Sequence, residues 1–456
     1  MKQRYYICID LKSFYASVEC VERGLDPMTT KLVVADPDRS ANTICLAVSP
    51  ALKRLGVRNR CRFRDIPKDI CYIAAKPRMQ RYIDYSARIY GIYLSFFSKE
   101  DIHVYSVDEA FMDVTDYLSL YSMTPRELGR KIMDTVLEQT GIRATCGIGT
   151  NLYLTKIALD ITAKHSPDFI GELDEESYRE TLWDHKPLTD FWRIGHGTAA
   201  RLEKYAIYTM RDIAAADEDF LYRLFGIDAE LLIDHAWGRE PVTIADIRNY
   251  QPRSKCLSNG QVLMSDYPFD KGRIIVKEMM DVLCLEMLAK DVVTPTVSLY
   301  IGYSVSDLDP RRHAPELSDT LPYFTPPGQP LPVPPRRGDP HMPVTYASGR
   351  VSLDLPTNAA AQWLPAISSL YDRIVDPERT IRRVNITCCN IAHEEFRQLD
   401  LFSDPADSAK KQRMQAAVLG IQTRFGKDLM IRGMDLEDGA MTLERNHQIG
   451  GHRSGV

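Results

Sequence analysis

Three acidic residues stand where carboxylates can act together. Asp10 closes an apolar run through Ile7, Cys8 and Ile9, and Asp108-Glu109 sits between Val107 and the apolar Ala110, Phe111 and Met112. A charge embedded in apolar strands needs a partner, and a cation is one. Carboxylate oxygens suit the hard Mg2+ ion, which shares its coordination shell with substrate phosphates. Two such ions roughly 3.5–4 Å apart can activate a hydroxyl and stabilise a leaving pyrophosphate. Each acid taken singly also fits a structural or solvated position. The flanking apolar strands favour the joint reading.

The elements that would position these acids follow from periodicity. Residues 4–9 read as a strand, after which Ser13 can cap a helix through Phe14, Ala16, Val18 and Val21. Lys31–Ala35 and Thr43–Val48 are short β-like runs, and Pro50–Leu55 is a short helix. A long helix covers about 78–97, where Tyr82, Ser86, Ile89, Tyr93 and Phe96 recur at helical spacing and predict core packing. His103–Val107 and Ala110–Val114 read as strands flanking the acidic pair. A helix at 125–139, a strand at Arg143–Ile148 and a helix at Leu152–Ala163 follow. The order β-α-β-β-α-β predicts a ferredoxin-like α/β sheet interrupted by an insert at about 24–77. Residues 172–240 read as all-helical, and from about 246 the pattern is α+β. The stretch 310–343 holds 11 of the 27 prolines and reads as an extended insertion. Residues 394–456 read as a tail with a helix at about 406–425, carrying Met414, Val418 and Ile421 at helical spacing.

Composition bounds the alternatives. A chain of 456 residues suggests three or four domains. With 44% hydrophobic and 26% charged residues, it is neither a disordered nor a disulfide-scaffold chain. The ten cysteines are scattered without zinc spacing and read as reduced thiols. No stretch has the apolar length of a membrane span, and the N-terminus lacks a signal-peptide pattern, so a cytoplasmic protein is expected. The net charge of −5 means that any affinity for nucleic acid must come from local patches and backbone amides.

Three segments together resemble the motifs of the Y-family DNA polymerases. They are Asp10–Glu19, Tyr105–Phe111, and Cys146–Asn151 followed by Lys156-Ile157-Ala158. Their order and spacing match, over about residues 1–400. The nearest branch is the UmuC-like translesion polymerases of bacteria, close to a Gram-positive or mobile-element UV-repair group. The resemblance implies a palm (1–23 and 78–171), fingers (24–77), a thumb (172–240), a little finger (246–393) and a clamp-binding tail (394–456). It implies two Mg2+ ions held by Asp10, Asp108, Glu109 and the carbonyl of Leu11. Phe14 and Tyr15 would lie beneath the incoming sugar, with Tyr15 as the steric gate against a ribose 2′-hydroxyl. Lys156 would hold the triphosphate. The fingers depart from the family pattern, in which a Tyr and, three residues on, an Arg grip the triphosphate. Here Pro50 and Lys53 stand in those places, and Arg54 is a candidate substitute. Lys12 replaces a residue that is commonly small or acidic.

Residues Phe191–Leu202 resemble a helix-hairpin-helix, in which Gly195 and Gly197 would let backbone amides approach a DNA phosphate. Its usual first glycine is Arg193 here, and a plain helix–helix turn is the alternative. Arg248, Arg253 and Lys255 resemble the opening of a little finger that rests on the phosphate backbone, and Arg382 and Arg383 could extend that face. Gln398-Leu399-Asp400-Leu401-Phe402 resembles the bacterial sliding-clamp peptide, with Leu401 and Phe402 as apolar anchors.

The expected protein is a monomeric, template-directed, low-fidelity DNA polymerase that adds dNTPs to a primer 3′ end and copies past damaged bases. Its expected partners are primer-template DNA, dNTPs and the sliding clamp. A catalytically silent clamp-bound DNA-binding factor and a nucleotidyl cyclase are the alternatives.

Overall fold

The computed structural model describes residues 3–39, 42–252, 255–304, 345–393 and 405–455. The chain divides into two compact units, one of Met1–Gln251 with His452–Val456, the other of Pro252–Gly451.

In the first unit, β1 (Tyr6–Leu11) leads into α1 (Phe14–Val21). A small sheet follows, from β2 (Leu32–Val34), β3 (Ala47–Val48) and β4 (Ile73–Ala75), with α2 (Pro50–Arg54) between the last two. Of the run Thr43–Val48 only the last two residues are strand, and Ile44 makes an isolated bridge to Arg62. Then come α3 (Met79–Leu94), β5 (Ile102–Val104), β6 (Glu109–Asp113), α4 (Tyr117–Tyr121), α5 (Pro125–Thr140) and β7 (Ala144–Gly149). The helix α6 (Leu152–Ile157) runs through a π-helical turn at Ala158–Thr162 into α7 (Ala163–His165), and β8 (Ile170–Leu173) completes the sheet. The strand order is β5-β6-β1-β7-β8, with β1 antiparallel to both β6 and β7. The first four strands with α3 and α5 have the split βαβ arrangement of a ferredoxin-like sheet.

β1 is buried along nearly its whole length, so both of its faces are apolar and only its end can carry a charge. Tyr82, Ile89 and Tyr93 of α3 are buried in the same core. On β7, an added Cβ at Gly147 would lie 2.3 Å from the carbonyl oxygen of Thr155, and one at Gly149 would lie 2.4 Å from its amide nitrogen. These two glycines therefore let α6 lie directly on the strand.

Five more helices follow: α8 (Glu175–Leu182), α9 (His196–Glu203), α10 (Met210–Ala215), α11 (Glu218–Phe225) and α12 (Asp228–Ala236). They share a core with the inner face of α6. A last helix, α13 (Ile244–Asn249), ends the main segment of this unit, so Arg248 belongs here and not to the second unit. Its guanidinium donates to the carbonyl of Glu100 at 3.1 Å.

The second unit is an antiparallel sheet in the order β11-β10-β12-β9, from β9 (Leu257–Tyr267), β10 (Val292–Tyr303), β11 (Tyr346–Thr357) and β12 (Ile381–Cys389). One face packs on α14 (Phe269–Ala289) and α15 (Ala360–Ile374) around Trp363. The tail segment 405–451 is part of this unit. Its helix α16 (Pro405–Phe425) is anchored by a polar residue, Gln415, whose amide joins the amide of Ala360 to the carbonyls of Asn358 and Cys284. Arg253, the proline-rich stretch 310–343 and the segment Gln398–Phe402 lie outside the described residues.

Candidate active site

The register of β1 and β6 pairs Asp10 directly with Glu109, and the amide of Leu11 donates to the carbonyl of Asp108 at 3.0 Å. Three carboxylates thereby meet at two adjacent strand ends. Burial pushes the Asp10 carboxyl up to about 7, and the neighbouring Asp108 and Glu109 carboxylates push the same way. Its side chain has no hydrogen bond or ion pair among the described residues. Asp108 accepts from the Ser106 hydroxyl at 2.6 Å. The Glu109 carboxyl is raised by burial, against the opposing pull of Lys156. Among the described residues no acidic, histidine or cysteine side chains close on one metal-sized point. The donor set is a corner of hard oxygen ligands rather than a finished cage, and it fits a divalent cation whose remaining ligands come from substrate phosphates.

Phe14 is buried at the start of α1, and the Tyr15 ring stacks on Tyr82 at 4.5 Å. Tyr82 is fixed in turn, its hydroxyl donating to Glu19 at 2.8 Å while Arg78 grips the same carboxylate with two nitrogens. Ser13 does not cap α1 through its side chain. It takes a left-handed backbone conformation with φ 47°, which turns the chain from strand into helix.

Pro50 occupies the first turn of α2, behind Ser49, whose hydroxyl accepts from Leu52. A proline costs nothing there, since that amide has no helical partner. Lys12 is partly buried and Lys53 exposed, and neither has an ion pair among the described residues. Burial lowers both lysines while the charge of Asp10 raises both, and Lys164 acts on each as a like charge. Lys12 is also held 3.5 Å over the Phe169 ring. Arg54 donates instead to the carbonyl of Met28 at 2.6 Å.

Lys156 is only 7% exposed. Its ammonium lies 2.7 Å from Oε1 of Glu109 and 3.1 Å from Asp160, and Lys164 lies 3.2 Å from the other oxygen of Asp160. Burial pulls the Lys156 ammonium down, but the carboxylates of Asp160 and Glu109 outweigh it and hold the group well above its ordinary value. Sequence reasoning missed Asp160 and Lys164. The spacing of Lys156, Asp160 and Lys164 on one helical face was the available signal.

Away from this corner, Arg193 takes φ 74°, so it adopts the left-handed turn that a glycine would otherwise supply. Gly195 is the N-cap of α9, and a Cβ at Gly195 or Gly197 would meet nothing within 4 Å. The protein's own packing therefore does not require glycine at either position. In the second unit Lys255 is exposed, Arg382 lies 3.7 Å from Asp266, and Arg383 lies 6.0 Å over the Tyr300 ring.

Strand-end carboxylates on a split βαβ sheet, beside a helical segment and followed by a second α+β unit, define a mixed α/β multidomain protein. The chain belongs to the Y-family DNA polymerases. A model of the impB/mucB/samB family matches residues 9–160, and the C-terminal domain of that family matches residues 254–401. The chain is 27% identical over 452 residues to the putative UV-damage repair protein UvrX of Bacillus subtilis, covering 98% of this chain and 97% of that one. It is 28% identical to DNA polymerase IV 2 of the same organism, with 99% of each chain covered. Its fold is similar to that of a Y-family DNA polymerase chimera of Dbh and Dpo4, with a TM-score of 0.60 at 21% identity, covering 85% of this chain and 99% of that one.

Proposed function

We propose that this chain is a template-directed DNA polymerase that extends a primer 3′ end with dNTPs and copies past damaged bases. The observation that carries the reading is the meeting of Asp10, Asp108 and Glu109 at adjacent strand ends, with the Lys156 ammonium 2.7 Å from Glu109. A carboxylate corner flanked by cations suits a substrate that is polyanionic and brings its own metal. Two Mg2+ ions held by Asp10, Asp108, Glu109 and the carbonyl of Leu11 would activate the primer hydroxyl and neutralise the leaving pyrophosphate. Lys53, Lys12 and Lys164 receive the triphosphate, which compensates for the missing Tyr and Arg of the fingers. Arg54 is spent on the Met28 carbonyl. Phe14 and Tyr15 form the floor under the sugar, and the stacked Tyr15 ring excludes a 2′-hydroxyl. The α9 turn at Gly195 and Gly197 presents open amides to a DNA phosphate. Arg253, Lys255, Arg382 and Arg383 serve the same backbone on the second unit, and Gln398, Leu399, Leu401 and Phe402 anchor the chain on a sliding clamp.

The names of the relatives, a UV-damage repair protein and DNA polymerases IV, support a role in lesion bypass. No helix among the described residues is long and apolar enough to cross a membrane, which fits a polymerase acting on DNA in the cytoplasm. The test is extension of a labelled primer on a template with Mg2+ and dNTPs, with unprimed template and dNTPs alone as controls. Extension that requires the primer supports the proposal. Products formed without a primer favour a cyclase, and intact DNA binding with no product favours a silent factor.

A further inference from the structure

The small β2-β3-β4 sheet is anchored by a residue far away in sequence. Asp36, just beyond the end of β2, is only 4% exposed. Its Oδ2 accepts from Nε of Arg453, 417 residues downstream, at 2.6 Å. Its Oδ1 has no hydrogen-bond partner among the described residues. A second guanidinium nitrogen of Arg453 reaches Asp38 at 3.1 Å. Asp38 is also paired with Lys76, where the chain leaves the sheet for α3. A buried carboxylate that loses its partner is costly, so the sheet depends on this distant arginine.

The residues after Arg453 lie on the start of α3. The carbonyl of Ser454 accepts from the amide of Gln80 at 2.9 Å. Gln80 is in the first turn of the helix, where an amide has no helical partner. Gly455 follows with φ 78°, and an added Cβ there would lie 2.6 Å from Cβ of Arg78 and 2.7 Å from its Cα. A left-handed residue pressed against a neighbouring backbone must be glycine. Gly450 and Gly451, with φ 59° and 79°, turn the chain just ahead of this segment. Residues 453–455 therefore hold both sides of the crossing from the small sheet to α3.

What they hold also carries Lys53. β2 pairs with β3 through Val33–Val48 and Val34–Ala47. The amide of Leu32 donates to the Ser49 hydroxyl at 3.1 Å, and its carbonyl accepts from the Ser49 amide at 2.9 Å. Ser49 is the N-cap of α2, the helix that bears Lys53. The place of Lys53 is thus set by β2.

We infer that Arg453 is a positioning residue for the incoming nucleotide: through Asp36 and Asp38 it braces the small sheet against the start of α3 and so fixes Lys53 for the triphosphate. The inference rests on the polymerase reading of the first unit.

The test compares wild type with Arg453→Ala and Arg453→Lys in the full chain. Hydrogen exchange read by mass spectrometry, without substrate, reports opening at residues 32–39, with β1 as reference. Single-turnover primer extension at varied dNTP separates apparent dNTP affinity from the maximal rate. Arg453→Ala is expected to speed exchange at 32–39 by about tenfold or more, with β1 unchanged. Apparent dNTP affinity falls with the fraction of molecules that hold Lys53 in place, and should weaken about three- to tenfold at a maximal rate within about twofold of wild type. Arg453→Lys keeps the charge without the planar fork and should fall between the two. Unchanged exchange at 32–39 would overturn the brace. Faster exchange with unchanged dNTP affinity would make Arg453 a purely structural residue and overturn its positioning role. Gly455→Ala covers the case in which Arg453→Ala does not fold, since it leaves the ion pairs of Arg453 in the chain and crowds the segment off Arg78. It is expected to speed exchange at 78–82 and to weaken dNTP affinity by about twofold, and no change in either would overturn the inference. A wild type that extends no primer would sink the polymerase reading, while the exchange measurement would still report on the brace.

Discussion

Buried carboxylates occur in both units, and they are treated in opposite ways. On α14 of the second unit, Glu278 is 1% exposed. It accepts from the amide of Met441, and from both the amide and the hydroxyl of Thr442, at 2.7–3.1 Å. One turn away, Asp281 is paired with Arg432 at 2.7 Å. Asp10 of the first unit is partly buried, and the charges beside it at the strand end include two more carboxylates. Burial costs Glu278 and Asp10 alike, and in each case it pushes the carboxyl upward. Only at Glu278 do local donors offset that cost. A buried charge that is fully hydrogen-bonded holds structure together, here by tying the 441–442 segment to α14. A buried charge facing like charges stores an unfavourable interaction that a cation would relieve.

The largest effect expected from this contrast follows from breaking the corner. Asp108→Ala/Glu109→Ala should reduce primer extension to background with DNA binding retained, as a gel-shift measured beside the extension assay would show. Retained extension would remove the corner from the chemistry. The opposite carboxylate should behave as a stability residue. Glu278→Gln cannot accept from all of its donors, and a buried group left unsatisfied costs about 1–3 kcal/mol. Denaturant unfolding of the full chain should register that loss, while primer extension per folded molecule stays at the wild-type level. Thr442→Val removes one of those donors and should cost less, about 1 kcal/mol. If Glu278→Gln abolished extension without affecting stability, the division between the two carboxylates would fail.

The pH dependence has a definite sign. The folded-state value of Asp10 lies above its ordinary one, so the folded protein binds the extra proton more tightly than the unfolded chain does. Its contribution therefore disfavours folding progressively as pH rises from about 4 toward about 7, and the penalty is fully present above that. Mg2+ at neutral pH should offset it.

Much of the corner was legible in the sequence because it depends on local facts. Asp10 and Asp108-Glu109 close or open apolar runs, and strand alternation leaves a charge nowhere to go but the end. Pro50 at a helix start was equally readable as a departure from the family pattern, and Ser49 accounts for it. The misses have a different origin. Burial of Lys156 depends on how closely α6 approaches β7, which periodicity does not report. The 405–451 segment folds onto the second unit through the polar contacts of Gln415 and Glu278 and through buried Met441, whereas Met414, the first residue of the apolar spacing on its helix, is 60% exposed. Ser13 has the composition of a cap, but the sharp turn out of β1 places it in a left-handed conformation where its side chain caps nothing.

The contrast is tested most directly by thermal unfolding of Asp10→Asn against wild type at pH 7.5, with and without Mg2+. Replacing the carboxylate by an amide removes the like-charge crowding, so the variant should be inactive yet melt higher than wild type without Mg2+. The expected gain is on the order of 1–4 kcal/mol, and the gap should narrow when Mg2+ is added. A variant that melts lower than wild type in the absence of metal would show that Asp10 is a structural carboxylate like Glu278, and would contradict the account.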